Sequence, residues 1–450
     1  MIIWGYRREQ ITHRAGCCLT ELFADLFQFY FSLFVVFRIV VLALLCCAMA
    51  RLIPQRDRHA LLLFIICTIV ILWPRMGAAQ RMHMLQNIGL LLLLLEARRP
   101  QTSTPRRLRT ISSFADQEQW DMRSNFRFEA NELFRLRDAL DLPRFRLHNR
   151  AVYVGEEALL VFLARIHIPG RWYKIRNEFG GSSSRLSEVF NMVVRYLYFR
   201  FCIPLLQNLR HWAPYFDVWC ATIARKSEGA VDFVFGFLDG HFNTCCQPVL
   251  RDDGGQLAPD VLYSGYYKEH GLKYQHLTAP NGLTIHLPPP FVGSTHDQTM
   301  LTQSTLLTEL AQIIAEKGRH YCMYADLIYS LSIYCMTGFR RTNPQTTPAQ
   351  REWTRRLNGP RTSVEWCIGK VGTVCAATTD ERQQKVGLQN LGMIYSTATL
   401  IANCHTCCYG SVCNQYFETF AADNRLTAAV SRRICHARRR ARGRHGCIAL

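Results

Sequence analysis

Two short apolar runs, each followed by an aspartate, constrain this chain more than any other feature. Val231 to Leu238 reads as a buried strand and ends in Asp239-Gly240. Tyr321 to Tyr324 has the same character, and Asp326 follows it. Short continuous apolar runs of this kind fit strands covered on both faces. Between them, Leu272 to Thr278 and Leu283 to Leu287 alternate around Asn281-Gly282, a strong hairpin signal. Apolar spacing predicts a helix from Thr299 to Glu316. Another is expected from Thr347 to Val374, with a break at Gly359-Pro360. The order strand, hairpin, helix, strand, helix is that of an α/β domain.

A third acid, Glu365, lies inside the last of these helices in Arg-Thr-Ser-Val-Glu-Trp. Neighbouring strand ends put two acids side by side, and a helix packed across them supplies the third. Clustered carboxylates repel one another unless cations neutralise them. Carboxylate oxygens suit Mg²⁺ or Mn²⁺. Two such ions about 4 Å apart can activate a water and stabilise the leaving oxygen of a phosphodiester. Taken singly, an Asp at a strand end is an ordinary turn or cap residue.

Upstream the pattern is helical. Helices are expected at Glu129 to Leu140, Glu156 to Ile166, Arg171 to Phe179 and Arg185 to Phe199. A Gly180-Gly181 turn and Ser182 to Ser184 hydroxyls separate the last two, which resembles a helix-turn-helix. On that reading Ser183, Ser184 and Arg185 open a DNA-recognition helix. The alternative is a helical bundle packed on the catalytic domain. The chain carries 53 Lys+Arg against 34 Asp+Glu, a formal charge of +19. That surplus favours a polyanionic partner, nucleic acid or an acidic membrane surface.

Residues 1–96 form an apolar extension with basic interruptions. The stretches 27–50 and 60–73 are candidate transmembrane segments. The first meets the ~20 residues a span needs. Arg38 inside it is unfavourable there. Residues 97–115 read as an Arg, Pro, Ser and Thr linker, 116–225 as the helical domain, 231–418 as the catalytic domain and 419–450 as a basic tail. The 19 Cys have irregular spacing and read mostly as reduced thiols. Cys404 to Cys407 is one clean CxxC, short of the four ordered ligands of a zinc site, and reads as packed thiols.

Several words recur in an ordered set. They are Gly-Phe-Leu-Asp-Gly (236–240), Tyr-Ser-Gly-Tyr-Tyr-Lys-Glu-His-Gly-Leu-Lys-Tyr-Gln (263–275), Gly-Ser-Thr-His-Asp (293–297) and Tyr-Ala-Asp-Leu-Ile-Tyr (324–329). Arg-Arg-Leu-Asn (355–358), Arg-Thr-Ser-Val-Glu-Trp-Cys-Ile-Gly-Lys-Val (361–371) and Ala-Asn-Cys-His-Thr-Cys-Cys-Tyr-Gly-Ser (402–411) follow. With Gly155 to Leu160 and Pro169 to Trp172 upstream, residues 120–418 resemble the DDE superfamily endonucleases of Harbinger/PIF-type transposases, especially fungal and oomycete members. The resemblance implies an RNase H-like fold with Asp239, Asp326 and Glu365 as catalytic metal ligands for two Mg²⁺ or Mn²⁺ ions. It marks His296 and Asp297 as family positions. Asp297 is then a metal ligand or a residue that orients one, the alternative being a helix N-cap. Arg361 is a candidate phosphate contact or a structural ion pair. The family often works with a separate Myb-like DNA-binding partner. Ala325, Ile368 and His241-Phe242 depart from the family pattern without removing a carboxylate.

The tail holds Arg438, Arg439 and Arg440, an expected DNA-backbone arm or nuclear-import signal. Its last four residues, Cys447 to Leu450, fit a prenylation box. The expected protein is a nuclear, metal-dependent DNA endonuclease or transposase, working alone, as a homo-oligomer or with a partner. Its rivals are a domesticated, non-catalytic DNA-binding protein and a membrane-anchored protein carrying the same domain.

Overall fold

The computed structural model describes residues 77, 78, 81, 106, 108–117, 121–247, 259–340 and 342–419. The apolar segments at 27–50 and 60–73, the basic tail with Arg438, Arg439 and Arg440, and Cys447 lie outside the described residues. Thr102–Leu450 forms one compact unit.

Helices open this unit: α1 (Ile111–Ala115), α2 (Met122–Phe126) and α3 (Ala130–Leu140). A two-stranded ribbon follows, β1 (Phe145–Arg146) with β2 (Val152–Tyr153), and then α4 (Gly155–His167), α5 (Trp172–Phe179) and α6 (Ser183–Leu197). The span read as linker therefore carries α1 at its end. Composition hid two local signals there. Thr110 and Ser113 form a reciprocal capping box, and Ile111 and Phe114 are fully buried. Arg106 also pairs with Glu157 of α4, whose side chain is completely buried.

The turn before α6 follows the expected chemistry. Gly180 and Gly181 take positive φ, and the Ser182 hydroxyl accepts from the Arg185 amide at 3.3 Å. Helical backbone continues past α6, and Ser183–Leu206 is long and apolar enough to cross a membrane by length and composition. Half of that stretch is buried inside the unit. Leu186, Val189, Val193 and Leu197 share one core with Leu159 and Phe162 of α4 and with Ile394, Ala398 and Ile401 downstream. The regions expected as separate domains at 116–225 and 231–418 are thus joined through continuous packing.

After α7 (Phe216–Lys226) the chain enters a mixed sheet. Its strands are β3 (Val234–Thr244), β4 (Tyr263–Ser264), β5 (Glu269–Thr278), β6 (Thr284–His286), β7 (Phe291–Val292), β8 (Cys322–Ala325) and β9 (Cys335–Thr337). The order is β4-β5-β3-β8-β9, with β6 and β7 also pairing β5. β3 runs antiparallel to β5 and parallel to β8, and β8 runs parallel to β9. The hairpin turns at Gly282, whose φ of 77° only glycine adopts readily. An irregularity in β3 between Val234 and Gly236 shifts the alternation, so Phe235 and Leu238 enter one core and Val234 and Phe237 another. β3 is longer than expected and carries Asp239 within it, five residues before its end at Thr244.

The helix expected from Thr299 to Glu316 is two, α8 (Asp297–Gln303) and α9 (Leu306–Lys317). Ser304 takes extended backbone between them, so one apolar pattern serves both. The expected break at Gly359-Pro360 is absent. Helix α10 (Pro348–Val374) runs through Pro360. A proline there removes one helical hydrogen bond. Packing offsets the loss: Leu357, Pro360 and Val364 are buried, and the Tyr324 hydroxyl donates to Asn358 at 2.9 Å. Helices α11 (Leu391–Tyr409) and α12 (Val412–Phe417) complete the unit. Asn403 of α11 pairs with both backbone groups of Thr284, tying that helix to β6.

Candidate active site

Parallel pairing of β3 with β8 sets Leu238 beside Ala325. The next residues are Asp239, still in β3, and Asp326, the first residue beyond β8. The acids thus leave adjoining strands at the same level. Helix α10 crosses them from the face to which Phe237 and, by alternation, Asp239 point. Leu357 and Val364 bury against Phe237 and Tyr324 there, fixing the helix rotation. Glu365, next to Val364, is half exposed on the same helix.

Arg361 stands one turn before Glu365 and joins two of the acids. Its guanidinium donates to Glu365 at 2.8 Å and lies 3.5 Å from Asp239. Arg361 and Asp239 are only 19% and 21% exposed. Burial is the main cause that pushes the Asp239 carboxyl up to about 6. Arg361 and the Gly240 amide, donating at 2.9 Å, pull it back, and the charges of Asp326 and Glu365 push it up. The three expected acids therefore share one electrostatic neighbourhood. Asp326 accepts from the Leu327 amide at 2.7 Å, which orients its carboxylate at the strand end.

A fourth acid approaches from the opposite face of β3. Asp297 is the first residue of α8, behind an N-cap at His296, so it is not the cap itself. Its carboxylate accepts from Lys273 at 3.1 Å. It also lies against the backbone of Gly240, where an added Cβ would come within 2.9 Å of Oδ1. Gly240 is the residue at which β3 turns its missing side chain to that face. Gln275, paired across the sheet with Gly240, donates to the Asp297 carbonyl at 3.3 Å and to the Tyr329 hydroxyl at 3.1 Å. Lys273, Gln275 and Tyr329 were not singled out as site residues from sequence. Period-two spacing of Lys273 and Gln275 on a strand was the available signal.

The site thus brings Asp239, Asp326, Glu365 and Arg361 together, with Asp297 behind Gly240. Four carboxylates around Arg361 and Lys273 have the oxygen chemistry of a hard divalent cation site. Among the described residues, no three of His, Cys, Asp and Glu stand close enough to hold one ion as placed. Arg361 instead supplies positive charge between two of the acids.

Other expected sites fall elsewhere. Ser183, Ser184 and Arg185 occupy the start of α6, remote in sequence from the carboxylates, with Ser184 exposed and Arg185 half-buried. Cys404, Cys407 and Cys408 are half-buried free thiols of α11.

No curated protein and no solved structure matches this chain. Residues 253–403, about a third of the chain, match the family model described as DDE superfamily endonuclease, a stretch that holds Asp297, Asp326 and Glu365 and begins after Asp239.

Proposed function

We propose that the chain is a metal-dependent DNA endonuclease of transposase type, with Asp239, Asp326 and Glu365 as its catalytic carboxylates. The observation that carries this is that Asp239 of β3, Asp326 just past β8 and Glu365 of α10 share one electrostatic neighbourhood, with Arg361 joining Asp239 and Glu365, and that Asp326 and Glu365 lie inside the stretch that matches the endonuclease family. A Harbinger/PIF-type, RNase H-like domain is the finer reading, supported by the ordered words of residues 236–411.

The residues that would hold divalent ions are Asp239, Asp326 and Glu365, with Asp297 in reserve behind Gly240. Mg²⁺ or Mn²⁺ bound there would supply activation of a water and neutralisation of the departing 3′ oxygen. The chain itself does the positioning. The β3–β8 register fixes two carboxylates, α10 fixes the third, and Lys273 with Gln275 fixes Asp297. Arg361 holds Asp239 and Glu365 in the metal-free protein and is placed to meet a phosphate once those acids turn to metal. Positive charge over the whole chain favours the DNA backbone, and the Arg438, Arg439 and Arg440 run favours work in the nucleus.

A second reading is a non-catalytic DNA-binding protein. It is favoured by one observation, that Arg361 pairs with two of the acids and so offsets their charge from within the chain. Plasmid cleavage by the full chain in Mg²⁺ or Mn²⁺ separates the two, run beside Asp326→Ala and Glu365→Ala. The nuclease reading expects cleavage by the parent and at least a hundredfold loss in both variants with folding intact. It fails if the parent does not cut plasmid or its own element ends with a Myb-like partner supplied.

A further inference from the structure

On the Asp297 side of the sheet, a tight tip joins β4 to β5 and carries Tyr266, Tyr267 and Lys268. The tip is built rather than loose. Its strands pair at Tyr263 with His270 and Ser264 with Glu269. The Lys268 amide donates to the Ser264 carbonyl at 2.7 Å, and Lys268 itself takes φ 58°, the left-handed turn that closes the loop. Thr244 of β3 donates to Glu269 at 2.7 Å, anchoring the base of the tip.

Aromatic rings continue from the sheet into this tip. Phe242 lies three residues beyond Asp239 on β3, on the face that Gly240 opens to Asp297. Its ring covers Gly271 and Gly293, where an added Cβ would come within 2.4 Å and 3.1 Å of it. Tyr267 stacks on Phe242, with centroids 4.3 Å apart and planes 12° from parallel. Tyr266 meets Tyr267 edge-on at 4.9 Å. Tyr267 is 45% exposed and Tyr266 is 87% exposed. Burial, and then the charges of Asp297, Tyr266 and Asp239, raise the Tyr267 hydroxyl above its ordinary range, so this ring sits within the field of the acids.

Tyr266 and Tyr267 together form an exposed aromatic surface with the edge of one ring and a hydroxyl-bearing face open to a planar partner. Its neighbours narrow what that partner is. Exposed Lys268 follows it, the chain is strongly basic, and a site suited to a phosphodiester lies beside it. Bases stack on aromatic side chains with little regard to sequence, and basic residues track the phosphates. A paired base has both faces covered within the duplex, so only an unpaired one can use the ring.

Resting on the nuclease reading above, we infer that the β4–β5 tip clamps an unpaired nucleobase next to the phosphate to be cut, the base stacking on Tyr266 while Lys268 meets the adjoining backbone. The tip thereby favours DNA that is single-stranded or frayed at the cleavage site over an intact duplex.

Binding without cleavage tests this directly. Fluorescence anisotropy would be read for the full chain in EDTA on a 20-nucleotide single strand, its blunt duplex and the duplex with a short 3′ overhang. Tyr266→Ala should weaken binding to the single strand and the overhang by about 10-fold. It should change duplex affinity by less than about twofold, and Tyr266→Phe should restore the parent's values. Equal losses on all three substrates, no loss on any, or failure of the phenylalanine variant to rescue would overturn the inference. A parent that binds no DNA would overturn it together with the DNA reading and leave a protein partner for the tip. A parent that binds but never cuts, with the selective Tyr266→Ala loss intact, would overturn the nuclease reading alone.

Discussion

Arg361→Ala is the perturbation that most directly probes the candidate site. In the metal-free protein its guanidinium is 3.5 Å from Asp239 and 2.8 Å from Glu365. At an effective dielectric near 20, a unit-charge pair 3.5 Å apart interacts by about 5 kcal/mol before desolvation is counted. Desolvation of both partners offsets much of that. The Glu365 pair is half exposed and contributes less than about 1 kcal/mol. A net loss of about 2 kcal/mol is therefore expected, because Asp239, Asp326 and Glu365 are left to repel one another. For a unit of this size that lowers Tm by about 3 °C in EDTA. Divalent ions should act in the opposite sense. With the competing cation gone, Mn²⁺ should stabilise the variant more than the parent, by about 1.4 kcal/mol for each tenfold gain in affinity. The assay is thermal unfolding of parent, Arg361→Ala and Arg361→Lys across a Mn²⁺ titration. The reasoning is refuted if the alanine variant loses no stability in EDTA, or if Mn²⁺ stabilises parent and variant equally.

Two further perturbations bear on the same residues. Asp239 has a folded-state pKa near 6, above its ordinary value, so the sign is opposite to the usual carboxylate. Its favourable contribution is complete below the unfolded value near 4 and is lost as pH rises through about 6. Asp239→Asn in EDTA should therefore match the parent near pH 4 and exceed it by about 2–3 kcal/mol at pH 7, measured as urea unfolding; a constant difference across that range would refute the assignment. Gly240→Ala would set a Cβ 2.9 Å from Asp297 Oδ1 and force that carboxylate off Lys273. A loss of about 1–3 kcal/mol in stability is expected from such overpacking, with metal-dependent cleavage down at least tenfold. Cleavage equal to the parent's would show that Asp297 has no part in the site.

How much of this was legible in the sequence depends on whether a residue's place is set by its own element or by another. Asp239 and Asp326 were legible because a buried strand declares itself by composition, and parallel neighbours deliver their ends to one level. Glu365 was legible because it lies inside an expected helix that packs across the strand ends. The continuity of α10 through Pro360 was not legible, since local propensity forbids it and packing of Leu357 and Val364 on the sheet decides it. Nor was the extent of the helical core, because the residues that fill it beside α4 and α6 come from α11, more than 190 residues downstream of α6. Asp297 shows the limit most clearly. It stands first in α8 behind a His cap, so in sequence it reads as a helix-opening acid. What turns it toward the site is a lysine on β5 and a missing Cβ on β3, contributed by two strands that meet only in the folded sheet. A glycine after a strand-borne aspartate is then more than a turn former. In this chain Gly240 is the opening through which one face of the sheet reaches the chemistry on the other.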